Sequence, residues 1–454
     1  MSGSSDSLSY PESAYRVDRV RPLVIATGAL FGTGALAALA LVLSLALYRY
    51  PPRVLVVLGF GVGLLGALAL ALRRYEAAVA LGFLLLAVVR FEPAPPDFIF
   101  AVVIAVAMVT GRFSIRRAPS AALFLIGAFL ALNLLSAVEV VDPARAANFF
   151  SITLYMTVFS LWLTGYVRST RAARLILRAY IFAAVASALL SSLALIVPIP
   201  GHDVLTRIGR AQGLFKDPNV FGPFLVPAAL VLMEEILAPR LLRLGRLTKL
   251  LAFLVLTLGV LFSYSRAAWL NVGIGVVVVL IVLVLRRGAG RQATAAFAIV
   301  LTAAAALTAA VALTGSVSFL QERAHVQTYD ASRFGAQVAS VHWAERYPFG
   351  VGPGQFEKHA GISVHSTYAR ALAEEGLPGF IALLALMLAT LGWAGRNAIL
   401  GRDTYGIGSA ALLGAWCGIL ANSTFVDTLH WRHLWVVAAL IWTGTLRPPH
   451  PSRT

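Results

Sequence analysis

Long apolar segments recur along almost the whole chain, and they constrain its fold more than any other feature. A helix needs about 17 to 25 apolar residues to cross a bilayer, and fourteen segments approach or reach that length. They are residues 23–47, 54–72, 77–89, 98–110, 119–138, 149–167, 175–197, 220–237, 250–262, 267–285, 294–314, 376–393, 405–421 and 434–446. The third, fourth and last are short, so we expect 12 to 14 spans. With 59% hydrophobic and 13% charged residues, the composition is typical of a polytopic membrane protein. It predicts an all-α bundle of transmembrane helices.

Basic residues are distributed unevenly between alternate loops. Cytoplasmic loops of membrane proteins collect lysine and arginine. If the amino terminus is cytoplasmic, 23 of the 37 basic residues lie on the cytoplasmic side, whereas the outer loops hold 14 basic and 13 acidic residues. Almost all of the formal net charge of +17 is then cytoplasmic, so this charge indicates orientation and does not require a nucleic-acid partner. Both termini are predicted to be cytoplasmic.

The alternation of apolar and polar segments divides the chain into five expected regions. In order, they are a cytoplasmic tail (1–22), amino-terminal transmembrane helices (23–206), a central region (207–395), carboxy-terminal transmembrane helices (396–446) and a cytoplasmic tail (447–454). The first apolar run is too long for a cleavable signal peptide, so it is expected to be a retained helix. The central region contains the longest polar stretch, a loop at 316–365 on the outer side.

The loop at 316–365 is expected to carry short helices. Phe334, Val338 and Val341 recur at nearly helical spacing, which indicates an amphipathic helix lying at the membrane surface. Three alternating glycines follow in YPFGVGPGQF (347–356). They do not form a glycine-rich phosphate loop, because no strand precedes them and no regular helix start follows. A tight turn between short helices is the favoured interpretation.

Polar residues crowd the start of one apolar segment in GLFKDPNVFGPFLV (213–226). Asp217 is a good N-cap and Pro218 suits the first helical position, so a transmembrane helix is expected to begin here. The amino terminus of a helix attracts anions, and Arg210 and Lys216 add positive charge. Plain helix capping, with the basic side chains reaching into solvent, explains the same residues equally well.

Two further arginines lie near the outer ends of predicted helices. Arg266 follows the two serines of SYSRAAW (263–269), and charged residues near membrane depth are costly and usually functional. Arg333 lies near the start of the amphipathic loop helix. Both are candidates for binding phosphate, because arginine matches phosphate oxygens with paired N–H donors. The alternatives are that Arg266 snorkels to the membrane surface and that Arg333 is simply solvated.

His365 is the candidate general base. It precedes the twelfth apolar segment in SVHSTYARALAEEGLPGF (363–380), and histidine can accept a proton from a hydroxyl near neutral pH. A capping or interfacial histidine is the alternative. No two histidines have the spacing of a helical metal site beside a carboxylate, so neither a metal nor another cofactor is expected.

These arginines, the helix amino terminus and the histidine are all expected on the outer face. This combination suits a site that holds a lipid diphosphate while a sugar hydroxyl attacks. The positive charges would stabilise the departing diphosphate. The outer loops contain no Asp-x-Asp pair of the kind that a metal-dependent glycosyltransferase would need.

Four motifs resemble those of the O-antigen ligase and polymerase superfamily of bacterial envelope enzymes. They are RAQGLFKDPNVFG (210–222), SYSRAAW (263–269), SRF followed by YPFGVGPGQF (332–356), and HSTYARALAEEGLPG (365–379). The resemblance implies a glycosyltransferase of the bacterial inner membrane that moves a glycan from undecaprenyl diphosphate to an acceptor hydroxyl at the periplasmic face, without a metal and with inversion. It implies that His365 is the general base and that Arg266 and Arg333 bind the diphosphate. Arg210 and Lys216 match the less specific first motif and are expected to bind the diphosphate as well.

The resemblance leaves the acceptor open. In a ligase, the favoured interpretation, it is the core of lipid A; in a polymerase it is a growing polysaccharide, and in O-glycosylating relatives it is a protein. A non-enzymatic transporter or flippase of lipid-linked glycan is the alternative from another class. A transporter would have charged residues at mid-membrane and paired broken helices, whereas the ionisable residues here are expected at one membrane face.

Overall fold

The computed structural model describes residues 52–287, 290–315, 317–325 and 328–446. The chain divides into two compact units, Met1–Gly66 and Ala67–Thr454. In the first unit, the described residues belong to helix α1 (Pro52–Arg73), and the other described helices lie in the second unit. The predicted span 23–47 and both predicted terminal tails lie outside the described residues.

The described part of the second unit is mainly helical, as the apolar segments predict. Its helices are α2 (Tyr75–Leu84), α3 (Pro95–Val109), α4 (Ser120–Leu135), α5 (Pro143–Tyr166), α6 (Thr170–Ile196), α7 (His202–Leu205), α8 (Pro218–Leu237), α9 (Arg246–Phe262), α10 (Arg266–Arg287), α11 (Arg291–Thr314), α12 (Val317–Ala324), α13 (Thr328–Arg346), α14 (Phe356–Ala360), α15 (Thr367–Glu374), α16 (Gly376–Ile399), α17 (Ser409–Asn422) and α18 (Arg432–Thr445). Each predicted apolar segment within the described residues is helical over most of its length. The predicted all-α class is confirmed.

Seven of the described helices are long and apolar enough to cross a membrane. They are α4 together with the 3₁₀ turn that continues it, α5, α6, α8, α10, α11 and α16. Shorter apolar helices occur in α1, α2, α3 and α17. The long polar stretch carries α12, α13 and α14, which confirms the prediction of a loop with short helices.

Helix α8 lies at the centre of the bundle. It packs against α6, α9, α10 and α17, and most of its residues are buried. Nearby, α10 and α17 approach closely, because a Cβ on Gly418 would lie 2.0 Å from Oδ1 of Asn271 and one on Gly414 would lie 2.6 Å from the carbonyl oxygen of Gly275. Such close contacts through small residues are typical of helix packing in membranes. This packing holds the starts of α8 and α10, where the first two motifs lie.

The prediction for the segment 77–89 was wrong at its end. The helix stops at Leu84, and a 3₁₀ turn and a short strand follow. The described residues contain four such strands, β1 (Val88–Val89), β2 (Thr206–Arg207), β3 (Arg210–Ala211) and β4 (Leu214–Phe215). Strand β1 pairs in parallel with β4, and β2 pairs in antiparallel with β3. Backbone pairing therefore attaches the first motif to a segment far earlier in the chain.

Candidate functional site

The first motif forms the start of α8 as predicted. Asp217 is the N-cap, and its Oδ1 accepts a hydrogen bond from the backbone N–H of Asn219 at 2.7 Å. Pro218 is the first helical residue. Because the carboxylate of Asp217 occupies the positive end of the helix, it competes with any other anion there.

The second motif is a turn that leads into α10. Tyr264, at the centre of the turn, has a φ of 46°, a left-handed conformation that costs free energy for a residue other than glycine. The Oγ of Ser265 accepts a hydrogen bond from the backbone N–H of Ala268 at 3.4 Å, so Ser265 caps the helix. Arg266 is therefore the first residue of α10.

Arg210 joins these two motifs. Its Nε donates to the carbonyl oxygen of Ser263 at 2.8 Å, and a terminal nitrogen donates to Oδ1 of Asn219 at 2.9 Å. The motifs also pack tightly against each other, since a Cβ on Gly222 would lie 2.5 Å from Oγ of Ser263. Arg210 therefore positions Asn219 beside the start of α10, while diphosphate binding by Arg210 stays a prediction.

Arg266 and Arg333 line one cavity of about 290 Å³, the arginine cavity. Asn219, Asp330 and Phe425 are also part of its wall. One terminal nitrogen of Arg266 lies 2.7 Å from each carboxylate oxygen of Asp330, so this carboxylate balances part of the positive charge. The structure brings together two arginines that are 67 positions apart in the sequence.

Arg333 lies in α13, so the helix that the sequence predicts in this part of the loop is present. Phe334, Val338 and Val341 are exposed, whereas Ala336 is buried. The helix therefore presents an apolar stripe outward, as the spacing of these residues indicates. Its position at a membrane surface stays a prediction.

His365 lines a second cavity of about 180 Å³, the histidine cavity. Asn219, Arg333, Phe425 and Val426 line both this cavity and the arginine cavity, so the two cavities adjoin. Among the described residues, no group of three or more histidine, cysteine or acidic side chains is arranged to hold a metal ion. Arginine, carboxylate and imidazole side chains line the two cavities.

The imidazole of His365 is surrounded by charged side chains. Partial burial lowers its pKa below the ordinary value for histidine, and the positive charges of Arg333 and Arg370 lower it further, while the carboxylates of Asp217 and Glu357 oppose the shift. A lowered pKa keeps the ring neutral at neutral pH, and the neutral ring is the form that accepts a proton.

The sequence predicts no role for two residues that line the histidine cavity, Arg370 and Asp427. Arg370 is buried, and its Nε lies 2.9 Å from Oδ2 of Asp427. One terminal nitrogen lies 3.4 Å from Oε1 of Glu374, and the other donates at 3.2 Å to the carbonyl oxygen of Val364, which precedes His365. Arg370 lies within the fourth motif, and this position could have identified it as a site residue from the sequence. Asp427 lies in a turn without a motif.

The alternating glycines of the loop pack against the same ion pairs. Gly350, Gly352 and Gly354 all have positive φ, and they form a tight turn between α13 and α14, as predicted. A Cβ on Gly350 would lie 2.2 Å from the carbonyl oxygen of Glu374. The backbone N–H of Gly354 donates to Oε2 of Glu374 at 2.7 Å. The glycines thus let the loop backbone reach the carboxylate that pairs with Arg370.

Most of this site comes from one continuous part of the chain, which matches a known family. Residues 251–384 match the O-antigen ligase family. The matched region includes Arg266, Arg333 and His365, and it begins after Lys216. It confirms the predicted resemblance to the O-antigen ligase and polymerase superfamily. Among curated proteins, none matches the chain.

The O-antigen ligase match and the seven long apolar helices agree on the class of protein. They support a multi-pass membrane glycosyltransferase of the ligase or polymerase type. The O-antigen ligase family implies lipid-linked polysaccharide substrates and a bacterial inner membrane as the location. The match ends within α16 and does not extend to the turn that contains Asp427.

Lys216, which precedes the O-antigen ligase match, lies apart from the two arginines. Its Nζ is 2.8 Å from Oε2 of Glu92. It lines a third cavity of about 160 Å³, the side cavity, together with Glu92, Asp427, His430 and Trp431. Within the described chain, none of the residues that line the side cavity also lines the arginine cavity. The structure therefore places Lys216 in the side cavity and not in the arginine cavity, and diphosphate binding by Lys216 stays a prediction.

Proposed function

We propose that this protein transfers a glycan from undecaprenyl diphosphate to an acceptor hydroxyl at the periplasmic face of the bacterial inner membrane. The acceptor is the core of lipid A, as in an O-antigen ligase, and a polysaccharide polymerase of the same superfamily is the alternative. The adjoining arginine and histidine cavities are the observation that carries this proposal. Because Arg333 lines both cavities, an anion bound beside Arg266 lies next to a group bound beside His365.

Arg266 and Arg333 hold the diphosphate of the donor in this proposal. Guanidinium groups donate paired N–H bonds to phosphate oxygens. Negative charge grows on the diphosphate as it departs, and two fixed cations stabilise that charge more than they stabilise the bound donor. Arg266 is the first residue of α10, and the backbone N–H groups at the start of this helix also attract the negatively charged diphosphate. The arginines thus take the role that a metal ion has in other phosphate chemistry.

His365 is the general base. It accepts the proton of the acceptor hydroxyl while the hydroxyl oxygen attacks the anomeric carbon of the donor sugar. The bond between that carbon and the diphosphate oxygen breaks, and undecaprenyl diphosphate leaves with the electron pair. A single displacement of this kind inverts the anomeric carbon. Arg370 positions the base, because it holds the carbonyl oxygen of Val364.

The decisive test is the His365→Ala variant, reconstituted with purified lipid-linked donor and acceptor. Loss of a general base typically slows a reaction by about 10²- to 10⁴-fold, and we expect glycan transfer to fall by at least that much while the protein still binds undecaprenyl diphosphate. His342→Ala is the matched control, because His342 is exposed on α13 and lines none of the three cavities. Wild-type turnover by His365→Ala would overturn the proposal.

The same reconstituted system distinguishes a ligase from a polymerase. The wild-type protein is supplied with donor and either lipid A core or a second donor molecule. A ligase lengthens the lipid A core, whereas a polymerase lengthens the second donor. Separation of the products by size gives the answer directly.

A further inference from the structure

The side cavity and the arginine cavity adjoin the histidine cavity through different walls. Asn219 and Arg333 belong to the wall toward the arginine cavity. Val220, Asp427 and Trp431 line both the histidine cavity and the side cavity. The histidine cavity therefore adjoins both of the other cavities, which share no lining residue with each other among those that the structure describes.

The side chains of the side cavity suit a neutral ligand rich in hydroxyl groups. The carboxylates of Glu92 and Asp427 accept hydrogen bonds, and the ammonium group of Lys216 donates them. Trp431 forms part of the same wall, although it is mostly buried and its ring packs 4.9 Å from that of His433. Arg432 also lines this cavity, so two carboxylates balance two cations there. The side cavity therefore lacks the excess of positive charge that would favour a diphosphate.

We propose that the side cavity binds the acceptor sugar that presents its hydroxyl to His365. This inference rests on the proposed function. In a single displacement, the attacking oxygen approaches the anomeric carbon from the side opposite to the leaving oxygen. If the diphosphate occupies the arginine cavity and the donor sugar occupies the histidine cavity, the acceptor enters through a wall that the diphosphate does not occupy. The side cavity lies beyond such a wall.

Lys216 acquires a different role in this arrangement. Its motif suggests a diphosphate ligand, but its ion pair with Glu92 places it where the acceptor binds. The two side chains are 47% and 56% exposed, so their polar ends are accessible to a ligand. The acceptor sugar comes either from the core of lipid A or from a growing polysaccharide, and both present ring hydroxyls of the same chemistry.

Glu92→Gln and Lys216→Gln test this assignment in the full-length protein, reconstituted with purified lipid-linked donor. Steady-state rates are measured against increasing lipid A core in one arm and against increasing unlabelled second donor in the other. We expect the KM for the acceptor to rise about two- to tenfold, the usual effect of losing one hydrogen bond. The donor KM should stay unchanged in the lipid A core arm, and undecaprenyl diphosphate should bind with wild-type affinity.

Glu76→Gln is the matched control for both variants. Glu76 also forms an exposed ion pair, with Arg171 at 2.7 Å, and it lines none of the three cavities. Its KM values should equal those of the wild type. Thermal unfolding of each variant, measured in parallel, shows whether the fold is retained.

The outcomes separate this inference from the proposed function. The arm in which the acceptor KM rises identifies the source of the acceptor sugar. Unchanged acceptor KM values in both arms would overturn the assignment, and so would weaker binding of undecaprenyl diphosphate by either variant. If the wild-type protein lengthens neither acceptor, the proposed function itself fails, whatever the variants do.

Discussion

Arg266 and Asp330 form a close ion pair in the wall of the arginine cavity, with one guanidinium nitrogen 2.7 Å from both carboxylate oxygens. The pair joins the first residue of α10 to the first turn of α13. A diphosphate that binds Arg266 must share the guanidinium group with this carboxylate. The carboxylate also repels the diphosphate, because the two carry like charge.

Replacement of Asp330 by asparagine should therefore tighten binding of undecaprenyl diphosphate. Asparagine keeps a hydrogen-bond acceptor for Arg266 but removes the negative charge. Two unit charges about 4 Å apart interact by about 1 kcal/mol in water, which corresponds to about a fivefold lower Kd. Titration of the purified variant with undecaprenyl diphosphate measures the change. Asp203→Asn, at a fully exposed position, should bind like the wild type, and weaker binding by Asp330→Asn would contradict the prediction.

The pH profile of the wild-type protein should reflect the lowered pKa of His365. Burial and the charges of Arg333 and Arg370 lower this pKa, so the imidazole stays neutral below the ordinary histidine value of about 6.5. Since the base acts in its neutral form, kcat/KM should decline only as the pH falls through the lowered pKa. Initial rates between about pH 5 and pH 8 test this. A midpoint of decline above the ordinary histidine value would contradict it.

Arg333→Gln should move that decline to higher pH. Removal of one positive charge near His365 makes protonation of the ring easier, so the pKa of His365 rises toward its ordinary value. The midpoint of the acidic decline separates this effect from the loss of activity that follows from weaker diphosphate binding. Arg346→Gln is the control, because it removes a charge of the same helix at an exposed position outside the histidine cavity. If the acidic decline has the same midpoint in the wild type, Arg333→Gln and Arg346→Gln, Arg333 does not control the protonation of His365.

The sequence predicts much of the bundle, because the length and the start of each helix are determined largely by residues within that helix. The start of α8 is an example, since Asp217 and Pro218 are local signals that need no tertiary information. The end of α2 is a counterexample. Val88 and Val89 continue an apolar run, but pairing with β4 makes them a strand, and that partner lies more than a hundred residues later.

The candidate site is only partly predictable for the same reason. Arg266, Arg333 and His365 are each marked by a motif, and the structure places them around adjoining cavities, while their chemical roles stay predictions. The ion pair between Arg370 and Asp427 depends on the packing of two distant segments, and a single sequence carries no signal for it. The same holds for Lys216, whose partner Glu92 lies before α3.

Arg370 should be needed for the stability of the site region as well as for catalysis. Arg370→Met leaves the buried carboxylate of Glu374 without its cation, and breaking a buried ion pair in this way costs about 3–5 kcal/mol. Arg370→Lys keeps the charge, so it should lose less stability. Lysine cannot keep all the contacts of the guanidinium group, so the bond to the carbonyl oxygen of Val364 should weaken and kcat should fall with little change in donor KM. Unfolding in detergent and steady-state kinetics measure these two effects.

Equal stability of the methionine variant and the wild type would show that Arg370 does not support the fold. Lys358→Gln is a suitable control, because Lys358 lies in a partly exposed ion pair with Asp142 at 3.2 Å and lines none of the three cavities. Surface ion pairs of this kind contribute about 0–1 kcal/mol. The control should therefore unfold close to the wild-type midpoint.

Gly350→Ala should destabilise the loop that packs against Glu374. Gly350 has a φ of 88°, and an added Cβ would lie 2.2 Å from the carbonyl oxygen of Glu374. Backbone strain of this kind costs about 1–3 kcal/mol, and the clash adds to it. Because Glu374 pairs with Arg370, which holds the residue before His365, glycan transfer should fall together with stability.

Gly335→Ala, in α13, is the matched control and should have the opposite effect on stability. No heavy atom lies within 4 Å of a Cβ added at Gly335, and replacing a glycine inside a helix by alanine typically stabilises it by about 0.5–1 kcal/mol. Unfolding of both variants in the same detergent compares them directly. A Gly350→Ala protein as stable and active as Gly335→Ala would show that the close approach of the loop to Glu374 is dispensable.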